Sequence, residues 1–375
     1  MAVPTGTLHL AAAIDGNGRY QAPYYVELAR LAEDGVLDFI TLDDSFGPPG
    51  PGRGRLDALA VLARVAPATG RIGLVPTVTT THTEPFHVSS SVATLDWVSR
   101  GRAGWRIEVS TTDAEARPVG RRPAAPAGEL WAEAGEVADA VARLWDSWED
   151  DAEIRDTSTG RFVDRDKLHY VDFRGAHYAD VKRRLARYGR PPGELKIMPG
   201  VTLVLGGTPA DAREKAVEIR RQQVSPQTAI LTLEQIWGVD LSGHDPDGPL
   251  PDIDPDPGSQ LVQGRVRHGD PLAVAAKWRA LSEEKGLSIR QTVIEATGRQ
   301  SFIGTPEAVA AEMAEFVAAD AADGFILVPH LTPGGLDDFV DRVVPLFQER
   351  GVFRTAYTGP TLRDHLGLTN PGERG

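Results

Sequence analysis

Short apolar runs alternate along the chain with longer helix-like segments, as in 129–145 where Leu130, Val137, Val141 and Leu144 share a helix face, and this alternation predicts βα units on a parallel sheet. The first run, residues 8–14, leads through a turn-rich stretch to a helix over about 23–34. Strands are predicted over 37–42, 72–78 and 103–110, with helices over 56–66, 85–99 and 129–145 between and after them. A highly charged stretch, 149–170, reads as a surface excursion. Beyond it the pattern predicts a helix over 178–188, strands over 196–205 and 324–329, and a helix over 336–348. Thr208-Pro209 and Gly304-Thr305-Pro306-Glu307 have the form of helix starts, with a capping hydroxyl and proline in the first turn. The predicted fold class is α/β, a single domain over 1–375 with excursions at 146–175 and 225–300 and a surface tail at 354–375.

Composition narrows the chemistry. With 41% hydrophobic and 25% charged residues the chain is an ordinary globular protein able to bury a large core. Its net charge of -13 opposes attraction to phosphate backbones, so nucleic acid is not expected as a partner. The absence of cysteine removes disulfides, thiolate nucleophiles and Cys-held metal centres together. The N-terminal apolar run is too short for a signal core or a membrane span, so a cytoplasmic protein without membrane contact is expected. Asp252, Asp254 and Asp256 alternate with proline in the 243–259 stretch, which lacks the glycine of a calcium loop and reads as solvated; no metal site is expected.

In α/β barrels the active site forms where strands end, because the loops there vary while the sheet holds them. Asp43, Asp44 and Ser45 follow the second predicted strand; Thr79, Thr80, Thr81 and His82 follow the third. Ser110, Thr111 and Thr112 follow the fourth, and His330 the last. Each also has a plain structural role available: Asp-Asp-Ser as a helix cap or turn, the threonines as β-branched filler, a lone histidine as a hydrogen-bonded core group.

Several stretches in their order resemble the luciferase-like flavin-dependent monooxygenases, in the group of the nitrilotriacetate and dibenzothiophene-sulfone enzymes. They include Asp43-Asp44-Ser45, Thr79 to His87, Ser99-Arg100-Gly101-Arg102-Ala103-Gly104-Trp105, Leu144 to Asp151, Ala322-Asp323-Gly324-Phe325 and Pro333 to Phe339. The resemblance implies a TIM-barrel-like (β/α)8 fold with an insertion lobe. It implies reduced FMN delivered by a separate NAD(P)H-dependent flavin reductase, O2 as oxidant and a small organic substrate, with a deazaflavin as the alternative cofactor. Carried over, Asp44, Thr79, Thr80, Trp105 and Arg106 correspond to cofactor contacts, and His82, Ser110 and His330 are candidates for the substrate pocket; no catalytic residue is assigned.

The sequence also departs from the family pattern. Arg106 stands where many relatives have Asn, and Glu108 is an unusual charge within a strand. Ala127 and Trp131 occupy positions where relatives often carry a phosphate-binding His and Tyr. After Gly175 the hydroxyl-rich segment expected to hold the flavin phosphate has no counterpart, a gap on the order of 60 residues, about two βα units. About six barrel strands are therefore expected, beginning near residues 8, 37, 72, 103, 197 and 325, with exposed edges that favour a homo-oligomer. The rival to the oxidoreductase reading is a non-catalytic or flavin-deficient relative that acts as a binding or assembly protein.

Overall fold

The structure, a computed structural model, describes residues 8–14, 20–47, 54–120, 122–149, 151–156, 161–169, 196, 198–256, 271–297, 301–318, 322–328 and 334–368. They form two compact units, one of Ala13–Lys196 with Ala356–Gly375, the other of Met1–Ala12 with Ile197–Thr355. The expected helix at 178–188 and the position of the expected gap after Gly175 lie outside the described residues.

In the first unit, strands β2 (Phe39–Leu42), β3 (Gly73–Thr79) and β4 (Arg106–Glu108) pair in parallel. Helices α1 (Ala22–Asp34), α2 (Ala58–Val65), α3 (Pro85–Ser99), α4 (Asp113–Val119) and α5 (Ala127–Trp145) intervene or follow. Asp57 starts α2 by accepting from the amide of Ala60, and Thr112 with Glu115 closes a reciprocal capping box on α4. One face of the strands meets the helices through Val78, Ala103 and Trp105, which pack with Val88, Val92, Val137 and Val141. The charged excursion contains a small antiparallel hairpin, β5 (Glu153–Asp156) with β6 (Arg161–Val163).

Within the segment expected as a surface tail, residues 361–367 pack onto the first unit's strands and turns. Leu362 and His365 are buried, the amide of Leu362 donates to Gly101 O, and His365 Nε2 lies 2.8 Å from Arg71 O. Gly73 makes room for this packing, since a Cβ there would stand 2.7 Å from Leu362 Cδ1. A turn-rich sequence with one buried leucine offers no periodicity from which to read such docking.

In the second unit, residues 9–12 of β1 (His9–Ile14), β9 (Gly324–Leu327), β7 (Gly200–Leu205) and β8 (Ser301–Gly304) are paired in parallel in that order. The described residues thus hold seven parallel strands, one more than the six expected. The extra one, β8, has only Phe302 and Ile303 as apolar residues ahead of Gly304, too short a run to stand out. Helix α6 (Pro209–Gln223) follows β7 with Thr208 as cap, and α10 (Pro306–Ala318) follows β8. The single helix expected over 336–348 is two, α11 (Gly334–Arg342) and α12 (Val344–Glu349); Pro345 has no amide with which to continue the first. Between α6 and β8, helices α7 (Pro226–Trp237), α8 (Pro271–Lys285) and α9 (Ile289–Ala296) share a core of their own around Trp237 and Trp278.

Pairing of β1 with β9 depends on Gly324, which stands in register with His9; a Cβ there would lie 2.0 Å from His9 O. Backbone cannot yield as a side-chain end can. Gly324→Ala is expected to lower stability by about 2–3 kcal/mol in urea unfolding; a loss under about 0.5 kcal/mol would mean that the strands part freely.

Candidate functional site

The carboxyl ends of β2 and β3 and the amino ends of α2 and α3 enclose a cavity of about 470 Å³, walled in part by Asp44, Arg55, Thr77, Thr79, His87 and Ser91. That volume is in the range of small-molecule sites, roughly 300–1,000 Å³. Leu59, Val78 and Val88 supply apolar surface to the same wall.

Asp44 is held firmly. Its carboxylate accepts from the amides of Ser45 at 2.7 Å and Ala58 at 2.9 Å, so it links the end of β2 to the first turn of α2. Burial raises its pKa above the ordinary carboxylate value, with the nearby Asp57 in the same sense, while the two amides and Arg55 oppose the rise. Arg55 fastens the loop itself, donating through Nη1 to Ser45 O, to Ser45 Oγ at 2.8 Å and to Gly47 O at 3.2 Å. The helix-cap role and the cavity wall are therefore both true of Asp44.

Thr77 and Thr79 alternate on one face of β3, and both are buried. The hydroxyl of Thr77 has no hydrogen-bond partner among the described residues, nor does that of the fully buried Ser110. An orphaned buried hydroxyl is costly unless water or a ligand meets it. Thr80 is engaged otherwise: its amide and its Oγ1 both donate to Glu108 O, at 2.9 and 3.2 Å, extending the β3–β4 pairing. Thr81 Oγ1 accepts from the amide of Ser110 at 2.8 Å. His82 is buried with its ring centroid 6.1 Å from that of Phe46.

Trp105 and Arg106, also expected as cofactor contacts, do not line this cavity. Trp105 packs with Ala103 on the helix side, against Val88, Val92, Val137 and Val141, because alternation along β4 turns it there. Arg106 faces the opposite way and is ion-paired, its Nη2 at 3.2 Å from Asp43 Oδ1 and 3.5 Å from Glu108 Oε2. The cavity wall includes Asp44 and Thr79 but not Thr80, Trp105 or Arg106. His330 lies outside the described residues. Sequence reasoning missed Thr77 and Arg55; the first reads as strand filler, and the second adjoins a glycine-rich loop that carries no phosphate-binding signature.

Among the described residues no cluster of metal-ligating side chains occurs, and no helix is long and apolar enough to cross a membrane.

Residues 4–179 match the family model described as luciferase-like monooxygenase, a match that ends just past Gly175. The chain is 32% identical to N-acetyl-S-(2-succino)cysteine monooxygenase of Bacillus subtilis (strain 168), with 94% of this chain and 91% of the relative covered. That alignment spans 411 positions, more than the 375 residues of the chain, so the relative carries segments this chain lacks. It is 33% identical to nitrilotriacetate monooxygenase component A of Aminobacter aminovorans, covering 93% and 90%. A crystal structure of riboflavin lyase with modified FMN and riboflavin superposes with a TM-score of 0.72 at 25% identity, covering 97% of each chain. Matched in sequence over nine-tenths of two named monooxygenases and in fold by its parallel α/β architecture, the protein belongs to the luciferase-like monooxygenase family.

Proposed function

We propose that the protein is an FMN-dependent monooxygenase that inserts one atom of O2 into a small organic substrate, with reduced flavin delivered by a separate NAD(P)H-dependent reductase. The observation that carries this is the strand-end cavity whose wall joins the carboxylate of Asp44 to the unpartnered, buried hydroxyl of Thr77. Bound reduced flavin supplies the two electrons that, with one O2, yield an oxygenated product and water. Asp44 and Thr79 would hold the polar edge of the ring, and Thr77 gains the partner it lacks. Leu59, Val78 and Val88 form the apolar side that keeps water out. One relative is named as a component A, which supports a divided system with a partner reductase.

The test is binding. Millimolar FMN is expected to raise the melting temperature and to quench flavin fluorescence on the protein, since a ligand that binds the folded state must stabilise it. Thr77→Val should leave the unliganded protein within about 0.5 kcal/mol of wild type, because no bond is lost, while weakening FMN binding roughly fivefold. No thermal shift with FMN, or a Thr77→Val protein that binds FMN like wild type, would overturn the assignment of this cavity.

A further inference from the structure

We propose, on the oxygenase reading above, that Arg106 anchors a carboxylate of the substrate and that Asp43 is its resident counter-ion, displaced when substrate arrives. Trp105 and Ile107 pack among apolar residues on the helix side, which turns Arg106 and Glu108 to the other face of β4. There Arg106 stands in register with Thr77, and Glu108 with Thr79. To reach Asp43, which follows β2, the guanidinium crosses in front of β3.

Only Nη2 of Arg106 is engaged; among the described residues Nε and Nη1 have no acceptor. Its two carboxylate partners differ in kind. Glu108 is 18% exposed and fixed within the strand, whereas Asp43 is 51% exposed on a loop. An ion pair so open to solvent is worth about 1 kcal/mol or less. A substrate carboxylate, partly desolvated at this face, forms a stronger charge-assisted bond and displaces it.

Succinate and its uncharged analogue succinamide serve as probes on the full chain, at ionic strength held constant with sodium chloride, followed by calorimetry and thermal shift. Wild type is expected to bind succinate and not succinamide. Arg106→Gln should weaken succinate at least tenfold. Asp43→Asn, which removes the competitor, should tighten it roughly fivefold, a gain that misfolding cannot imitate. The proposal is overturned if wild type binds neither probe or both alike, if Arg106→Gln retains succinate affinity, or if Asp43→Asn weakens it. An FMN titration on the same samples separates the two ideas: failure with FMN alone removes the flavin reading, and failure with succinate alone removes the anchor.

Discussion

Arg102→Met is expected to destabilise the protein by about 3 kcal/mol or more, measured by urea unfolding. Arg102 sits in the Ser-Arg-Gly-Arg stretch on which the family resemblance partly rests, yet its work is structural. It is 3% exposed and spends its guanidinium on the turn before β3. Nε donates to Ser99 O at 2.7 Å, Nη1 to Thr69 Oγ1 and Ile72 O, and Nη2 to Ala66 O and Thr69 O. Glu33 does the complementary task from the other side, its Oε1 accepting from the amides of Gly70, Arg71 and Ile72. The turn over residues 66–72 is thus held by a cationic donor on its carbonyls and an anionic acceptor on its amides. Burial lowers the pKa of Arg102 and the charge of Glu33 opposes that. Methionine keeps the volume but leaves several buried carbonyls without donors, each costing about 1–3 kcal/mol if water cannot reach it. Arg102→Lys should recover only a minor part, since one ammonium cannot span the fork. A loss below about 1 kcal/mol for Arg102→Met would show that water replaces the guanidinium.

What the sequence disclosed, and what it withheld, follows the range of each interaction. Strands β1 and β3 were legible as short apolar runs, and helix α5 from the helical spacing of Leu130, Val137, Val141 and Leu144. Asp44 and Thr79 were legible as polar residues at strand ends, and both line the candidate cavity. Thr77 was not, because a threonine inside a strand looks like filler until its hydroxyl is found unpartnered. The orientation of Trp105 was available in principle: strict alternation sets Ala103, Trp105 and Ile107 on one face and Arg106 with Glu108 on the other. The pair of Arg106 with Asp43 was not, as it depends on the register of three strands and on residues 63 positions apart.

Trp237→Ala is expected to cost about 4 kcal/mol in the stability of the segment formed by α7, α8 and α9. Trp237 is fully buried at the centre of their shared core, its ring 6.3 Å from that of Trp278. It also fastens the Pro/Asp-rich loop. Its Nε1 donates to Ile253 O at 2.8 Å, its carbonyl accepts from the amide of Asp256, and Arg279, over its ring, pairs with Asp254. Asp254 is thus paired with Arg279, and the loop backbone is tied to Trp237 at Ile253 and Asp256. Trp237→Phe keeps most of the apolar contact but leaves Ile253 O without its donor, and a loss of about 1–2 kcal/mol is expected. Hydrogen exchange over 226–237 and 271–296, with proteolysis near 250–256, measures both. Graded loss, alanine well beyond phenylalanine, means that packing dominates; equal loss would mean that the single bond to Ile253 carries the loop and the helices together.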